Sequence, residues 1–176
     1  LALEGRDAIA ARPEDIASIV PSVSKKHAAV MPFADPASPA EAKFSLPFAC
    51  STALLRGRVG LAELKDEALA DPVLRGLMAR VSVHAHEDYD PDYPVAARVD
   101  VVTVTMADGN VHKTPEIWRA TGHADAPLST EEHWTKFADC AAAGGLGAAP
   151  ARALFEACNR IDALSGPAEL YSAAAM

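Results

Sequence analysis

The sequence predicts an α+β domain, and three observations carry that expectation. Capped segments of helical period occupy both ends of the chain, while β-branched residues gather between about residues 80 and 120. Within that stretch Asp108-Gly109 separates two strand-like runs, a strong short-range hairpin signal. Helices, then a strand cluster, then helices is the order of an antiparallel sheet covered by helices, not of alternating βαβ units. A further strand is expected near 16–23. A chain of 176 residues suits one α+β domain, taken as residues 1–176, with a real core.

Composition narrows the class. Hydrophobic residues make up 50% of the chain, but 38 residues are Ala and ten are aromatic, so large core side chains are scarcer than the fraction suggests. A net charge of −8 argues against a general nucleic-acid binder, which needs a basic surface to displace counterions. No apolar run approaches the ~20 residues that cross a bilayer, and no stretch reads as a signal peptide. Cys50, Cys140 and Cys158 are odd in number and widely spaced, which disfavours a disulfide scaffold or a zinc site. The expectation is a soluble, reduced, cytoplasmic protein without nucleic acid or membrane as partner.

The elements follow in order. Leu1 to Ala11 has helical character, starting without an initiator Met as though entered partway through a helix; trimming and excision from a longer protein both explain that start. Pro13-Glu14-Asp15 begins something new. Ile16, Ile19, Val20 and Val23 are β-branched and read as a strand. From Ser24 to Pro39 a long ordered loop is expected, because Pro32, Pro36 and Pro39 forbid continuous helix. Ser38-Pro39-Ala40-Glu41 restarts a helix with Ser as cap, running to Gly57, with Pro47 kinking it or marking its true beginning. Leu61 to Ala70 and Asp71-Pro72 to Val81 are two further short helices. Val81, Val83 and Ala85 alternate with Ser82, His84 and His86 as a half-buried strand does. Val95 to Met106 and Val111 to Ala120 form the hairpin, with Pro115 confining part of it to an edge or bulge. Leu128 to Glu132 caps a helix striped with Trp134, Phe137, Ala138 and Ala141, ended by Gly144, Gly145 and Gly147. Pro150 to Leu164 is the last helix.

Few motifs carry chemistry. No nucleophile elbow, zinc-protease, P-loop or dinucleotide signature occurs, and the glycines at 144–147 follow a helix, so they read as a stop. His84 and His86 share one strand face and form a possible metal pair; the plainer alternative is a solvated outer face. Residues 87–93 lack the glycine and oxygen spacing of a calcium loop and read as an acidic surface. Cys50 reads as a small core hydrophobe. The exception is Lys25-Lys26-His27 with Lys43: four potential cations within nineteen residues of an acidic chain. They suit a carboxylate-rich ligand through charge-assisted hydrogen bonds, or else solvate a strand end.

Residues 36–48, Pro-Ala-Ser-Pro-Ala-Glu-Ala-Lys-Phe-Ser-Leu-Pro-Phe, resemble the hallmark segment of the MmgE/PrpD family. Behind it, Ala53-Leu54-Leu55-Arg56-Gly57 is similar to the family's helix end, and Asp71-Pro72-Val73 with Leu77 and Val81 to the helix before the sheet. Ala107-Asp108-Gly109 resembles the turn of its strand pair. Pro127-Leu128-Ser129 with Glu131, Glu132, Lys136 and Phe137 resembles a further family helix. The family holds 2-methylcitrate dehydratases, cis-aconitate decarboxylases and an iminodisuccinate epimerase. Its members combine a large helical N-terminal domain, which supplies Asp and His residues of the active site, with a smaller α+β lid. This chain matches the lid, and the helical domain is expected to come from the same or another chain.

The resemblance implies a lyase or epimerase acting on a di- or tricarboxylate without metal or cofactor, and for the 2-methylcitrate dehydratases a place in propionate catabolism. Proton abstraction next to a carboxylate needs a positioned base and cations that neutralise the developing charge. The loop before Pro36 would close over the site, making His27 and Lys26 candidate catalytic groups and Lys43, Ser45 and Lys25 candidate substrate contacts. Decarboxylase-like members carry a Tyr in that loop, whereas residues 24–36 hold none. The reading from another class is a non-catalytic truncated or dimerisation module. Met31, Phe33, Phe44 and Phe48 crowd a short stretch, where an apolar patch and homo-oligomerisation are expected.

Overall fold

A computed structural model describes residues 12–94 and 96–174. It divides into two compact units, Leu1–Ala120 and Thr121–Met176. The helix expected over Leu1 to Ala11 and the start of the expected strand at Val95 lie outside the described residues.

The first unit is built on a four-stranded sheet. After a 3-10 turn at Pro13–Asp15 come β1 (Ile16–Ser24), β2 (His84–His86), β3 (Val101–Met106) and β4 (Val111–Lys113), in the spatial order β2-β1-β3-β4. The β1–β3 and β3–β4 pairs are antiparallel, as expected for the hairpin. The β1–β2 pair is parallel, with Ser22 opposite His84 and Ser24 opposite His86, so the sheet is mixed. Helices fill the connection from β1 to β2, and such a crossover returns the chain in its original direction. Gly109, at φ 89°, supplies the left-handed position of the β3–β4 turn, where Asp108 accepts from the Asn110 N–H.

Pro21 stands inside the central strand, where proline is ordinarily excluded. Its partner Val102 gives its N–H to the Thr114 hydroxyl at 3.0 Å and accepts from the Thr114 N–H, so nothing on β3 awaits a donor. Ile19 directs its N–H and C=O to Arg80 and Ser82. Two residues on, the proline faces the same side, and its missing donor falls where Ser82 is open to water.

The helices of this unit are, in order, α1 (Lys25–Val30), α2 (Pro39–Ala42), α3 (Leu46–Arg56), α4 (Asp66–Leu69) and α5 (Pro72–Met78), of which α3 and α5 pack on one face of the sheet. Ile16, Ile19, Val102 and Val104 meet Cys50, Ala53 and Leu54 of α3 and Leu77 of α5 in one core cluster. A second cluster joins Ala42, Phe48, Leu69, Leu74 and Met78. The opposite sheet face carries half-buried Thr103 and Thr105.

Several expectations are corrected. Lys25–Val30 is helix, not loop, because the prolines begin only at Pro32 and the buried Ser24 hydroxyl caps the turn by accepting from the His27 N–H at 3.1 Å. The stretch 38–57 is two helices: Ser45 starts the second, with Pro47 in its first turn, and Gly57 ends it at φ 72°. Only Asp66–Leu69 of 61–70 is helical. Of the expected strand only His84–His86 is formed, and although Val81 packs on the core, Val83 is 40% exposed, so the inward alternation of 81–85 breaks there. Of the four expected patch residues, Phe48 is core at 1% exposure, Phe44 is open at 51%, and Met31 and Phe33 are half-buried.

The second unit holds α6 (Thr130–Ala143), α7 (Ala148–Asn159) and α8 (Pro167–Ala174). A full capping box between Ser129 and Glu132 starts α6. The Trp134 and Phe137 rings lie 5.2 and 5.3 Å from that of Phe155 on α7. The helix expected to reach Leu164 stops at Asn159 and gives way to a 3-10 turn at Ile161–Ala163. Among the described residues no helix is long and apolar enough to cross a membrane.

Two predictions follow from this packing. Leu77, 1% exposed, should cost about 2–5 kcal/mol on replacement by Ala, whereas Val73→Ala on the 48% exposed side of the same helix should stay within about 0.5 kcal/mol; urea unfolding of the two variants checks this. All three cysteines are free, and burial pushes the Cys50 thiol up to about 11 while Cys140 and Cys158 are exposed. A thiol reagent should therefore modify two cysteines quickly in the native protein and the third only after unfolding.

Candidate functional site

The antiparallel β1–β3 pair and the parallel β1–β2 pair bring three chain segments to one end of the sheet. These are the close of β1 with α1, the close of β2, and the entry to β3 at Asp100. Capping by Ser24 turns the chain at once into α1, whose first three residues are Lys25, Lys26 and His27. His27 Nδ1 stands 4.0 Å from Asp100 Oδ2, with the imidazole 45% and the carboxylate 22% exposed. The Asp100 backbone is fixed by paired bonds with Ile117, at 2.8 and 3.0 Å.

The two lysines are held by the segment after β2. Lys25 Nζ donates to Glu87 Oε1 at 3.0 Å. Lys26 Nζ donates to the Pro94 carbonyl and lies 4.6 Å from the centre of the Tyr89 ring. That segment has its own anchor: Arg119 pairs with Asp90 at 2.8 Å, both side chains largely shielded, and lies over the Tyr93 and Trp118 rings. The hydrogen bond from Arg119, joined by the Asp92 N–H, holds the Asp90 carboxyl below its usual range.

Asp100 is different. Burial raises its carboxyl above the ordinary range, and the pull of His27 and His86 only partly offsets that. Its Oδ1 is buried and has no hydrogen-bond partner among the described residues.

Of the expected set, Lys25, Lys26 and His27 follow one another on the first turn of α1, each turned to its own partner. Lys43 is exposed beside α2. Ser45 is fully buried, its hydroxyl accepting from the Phe48 N–H at 3.1 Å as the cap of α3, while its backbone bridges to Pro32. Of the suspected metal pair, His84 bonds Ser22 Oγ at 3.0 Å and His86 is half-buried near Asp100. Among the described residues no group of three or more His, Cys, Asp or Glu is arranged to hold a metal ion. A separate cavity of about 580 Å³ is lined by Ala34, Asp35, Arg75, Met78 and Ala79. Asp100 was missed in the sequence, although a carboxylate inside the run Val99-Asp100-Val101-Val102 is a signal in itself.

A family model described as the MmgE/PrpD C-terminal domain matches residues 1–160 of the chain. No curated protein matches it.

The raised Asp100 carboxyl has a stability consequence whose sign is fixed. A carboxyl whose folded-state pKa lies above its unfolded value disfavours the folded form wherever it is ionised, and protonation on acidification removes that penalty. Asp100→Asn should therefore melt higher than the parent at pH 7.5. The gap should narrow as pH falls through the Asp100 titration and vanish below the ordinary carboxylate range near pH ~4. Thermal melts across that window check this; a variant less stable at pH 7.5 would contradict it.

Proposed function

The chain belongs to the MmgE/PrpD family, whose C-terminal domain it carries, and from that premise we propose that it serves as the lid of a carboxylate lyase. The favoured reaction is elimination of water from a di- or tricarboxylate of the 2-methylcitrate kind. In it a base removes a proton from the carbon next to a carboxylate, the carbon–oxygen bond beyond breaks, and hydroxide leaves as water with a proton from an acid. His27 is the group of this chain suited to carry such a proton, since an imidazole nitrogen can accept a proton and pass it on. Lys26 and Lys25 supply charge for substrate carboxylates and for the negative charge that grows as the proton leaves. Lys43 is a further candidate contact, and Ser45 acts from within the fold by holding α3.

One observation carries this reading: in a chain of net charge −8, the Ser24-capped turn presents Lys25, Lys26 and His27 side by side at the sheet end. The partner is a helical domain of the family's kind, in the same or another chain, which brings the remaining acid–base groups. Val30 at 63% and Phe44 at 51% exposure favour the second reading, a surface used for association alone.

On the first reading the 176-residue chain alone does not dehydrate 2-methylcitrate or decarboxylate cis-aconitate. Combined with the helical domain of a family member it should dehydrate, and His27→Ala should lower kcat by about 10²-fold or more. Turnover by the chain alone, or turnover in the combined form indifferent to His27, would falsify the reading and leave association as the role.

A further inference from the structure

We propose that Asp100 is a positioning residue for His27, holding the Nδ1 edge of the imidazole from the entry of β3 so that Nε2 is left as the proton acceptor. The inference rests on the reading of His27 as the proton carrier. It starts from the carboxylate's unusual surroundings. Other partly or largely shielded carboxylates of this chain are satisfied by the fold: Asp71 accepts from the Val73 N–H and from Arg56, and Glu63 from the Gly60 N–H and Arg58. Asp100 has no such structural employment. Its Oδ1 is buried without a partner among the described residues, and its Oδ2 faces an imidazole. A buried acceptor without a partner in the fold calls for an explanation, and for Asp100 the imidazole beside the same carboxylate offers one.

The geometry suits orientation. Asp100 is bolted to the sheet by its two backbone bonds with Ile117, whereas His27 stands on the first turn of a short helix. The rigid partner is the carboxylate and the adjustable one is the ring. At 4.0 Å the contact is an ion-pair distance, longer than a hydrogen bond, and pairs of this kind tighten when substrate binds. A carboxylate at Nδ1 selects the tautomer with its proton there and steadies the imidazolium formed when Nε2 takes a proton. The titratable groups facing Asp100 are His27 from α1 and His86 from β2, and either imidazolium favours its charged form. Lys25 and Lys26, on the same turn, are turned to Glu87 and to Pro94 and Tyr89.

The first test uses the chain itself, without substrate. Ring nitrogen-15 shifts of His27 should report the Nδ1–H tautomer in the parent and a switch toward Nε2–H in Asp100→Asn, because an amide there donates where the carboxylate accepted. The carbon-13 titration of the Asp100 carboxyl should move to higher pH in His27→Ala. In the form combined with a helical domain, Asp100→Asn should lower kcat by at least about tenfold with KM little changed, and should shift the pH profile. An unchanged His27 tautomer, or an Asp100 titration indifferent to His27, overturns the inference whatever the turnover. If both spectroscopic effects appear but turnover ignores His27→Ala, the proposed function fails while the pairing of the two residues stands.

Discussion

The antiparallel pairing of β1 with β3 is the contact on which the rest of the first unit depends. It joins segments separated by most of the unit's length, so closing it costs roughly 4 kcal/mol of chain entropy before any contact is made. Ile16, Ile19, Val102 and Val104, each no more than 3% exposed, offset that cost, since burial of such side chains is worth about 1.5–3 kcal/mol apiece. The helices add to the same cluster from above through Cys50, Leu54 and Leu77. Without this pairing His27 and Asp100 belong to different ends of the unit, with it they face one another. The proposed chemistry is thus a product of long-range topology.

That dependence explains what could be read in the sequence. Features encoded within a few residues were legible. The Asp108-Gly109 turn, the helix cap and acidic first turn at 128–132, the Asp71 cap with Pro72 behind it and the Gly57 stop stand where their chemistry puts them. The mixed character of the sheet was not legible, because the direction of β2 is set by a crossover rather than by anything in His84–His86. Helix α1 was hidden by the prolines that follow it, although Ser24 is an ordinary cap. Of the site, Lys25, Lys26 and His27 stood out as a local run of cations. Asp100 could be recognised only by asking why a carboxylate interrupts valines, and its partner only from the fold.

In the proposed site, Asp100 is where stability and function pull apart. A carboxylate so placed is raised by its burial and disfavours the folded state when charged. An amide in its place removes that penalty, yet loses the acceptor that orients an imidazole. Such conflicts gather where a residue is kept for what it does rather than for what it holds together. The sheet tolerates it because the Ile117 bonds and the neighbouring valines fix the backbone independently of the side chain.

The lysines meet the opposite condition, and the contrast completes the proposed site. Lys25 and Glu87 are both more than half exposed, and an ion pair so open to water adds little to stability. Lys26 leans on a carbonyl and a ring face, neither of which carries a full negative charge. A ligand bearing two or three carboxylates offers both ammonium groups stronger, charge-assisted partners than these. On the proposed reading each lysine exchanges its present contact for a substrate carboxylate, whereas the sheltered Asp100 keeps its place beside His27. A site that must first attract a polyanion and then move a single proton needs groups of both kinds, and in this unit they stand on adjoining segments at one end of the sheet.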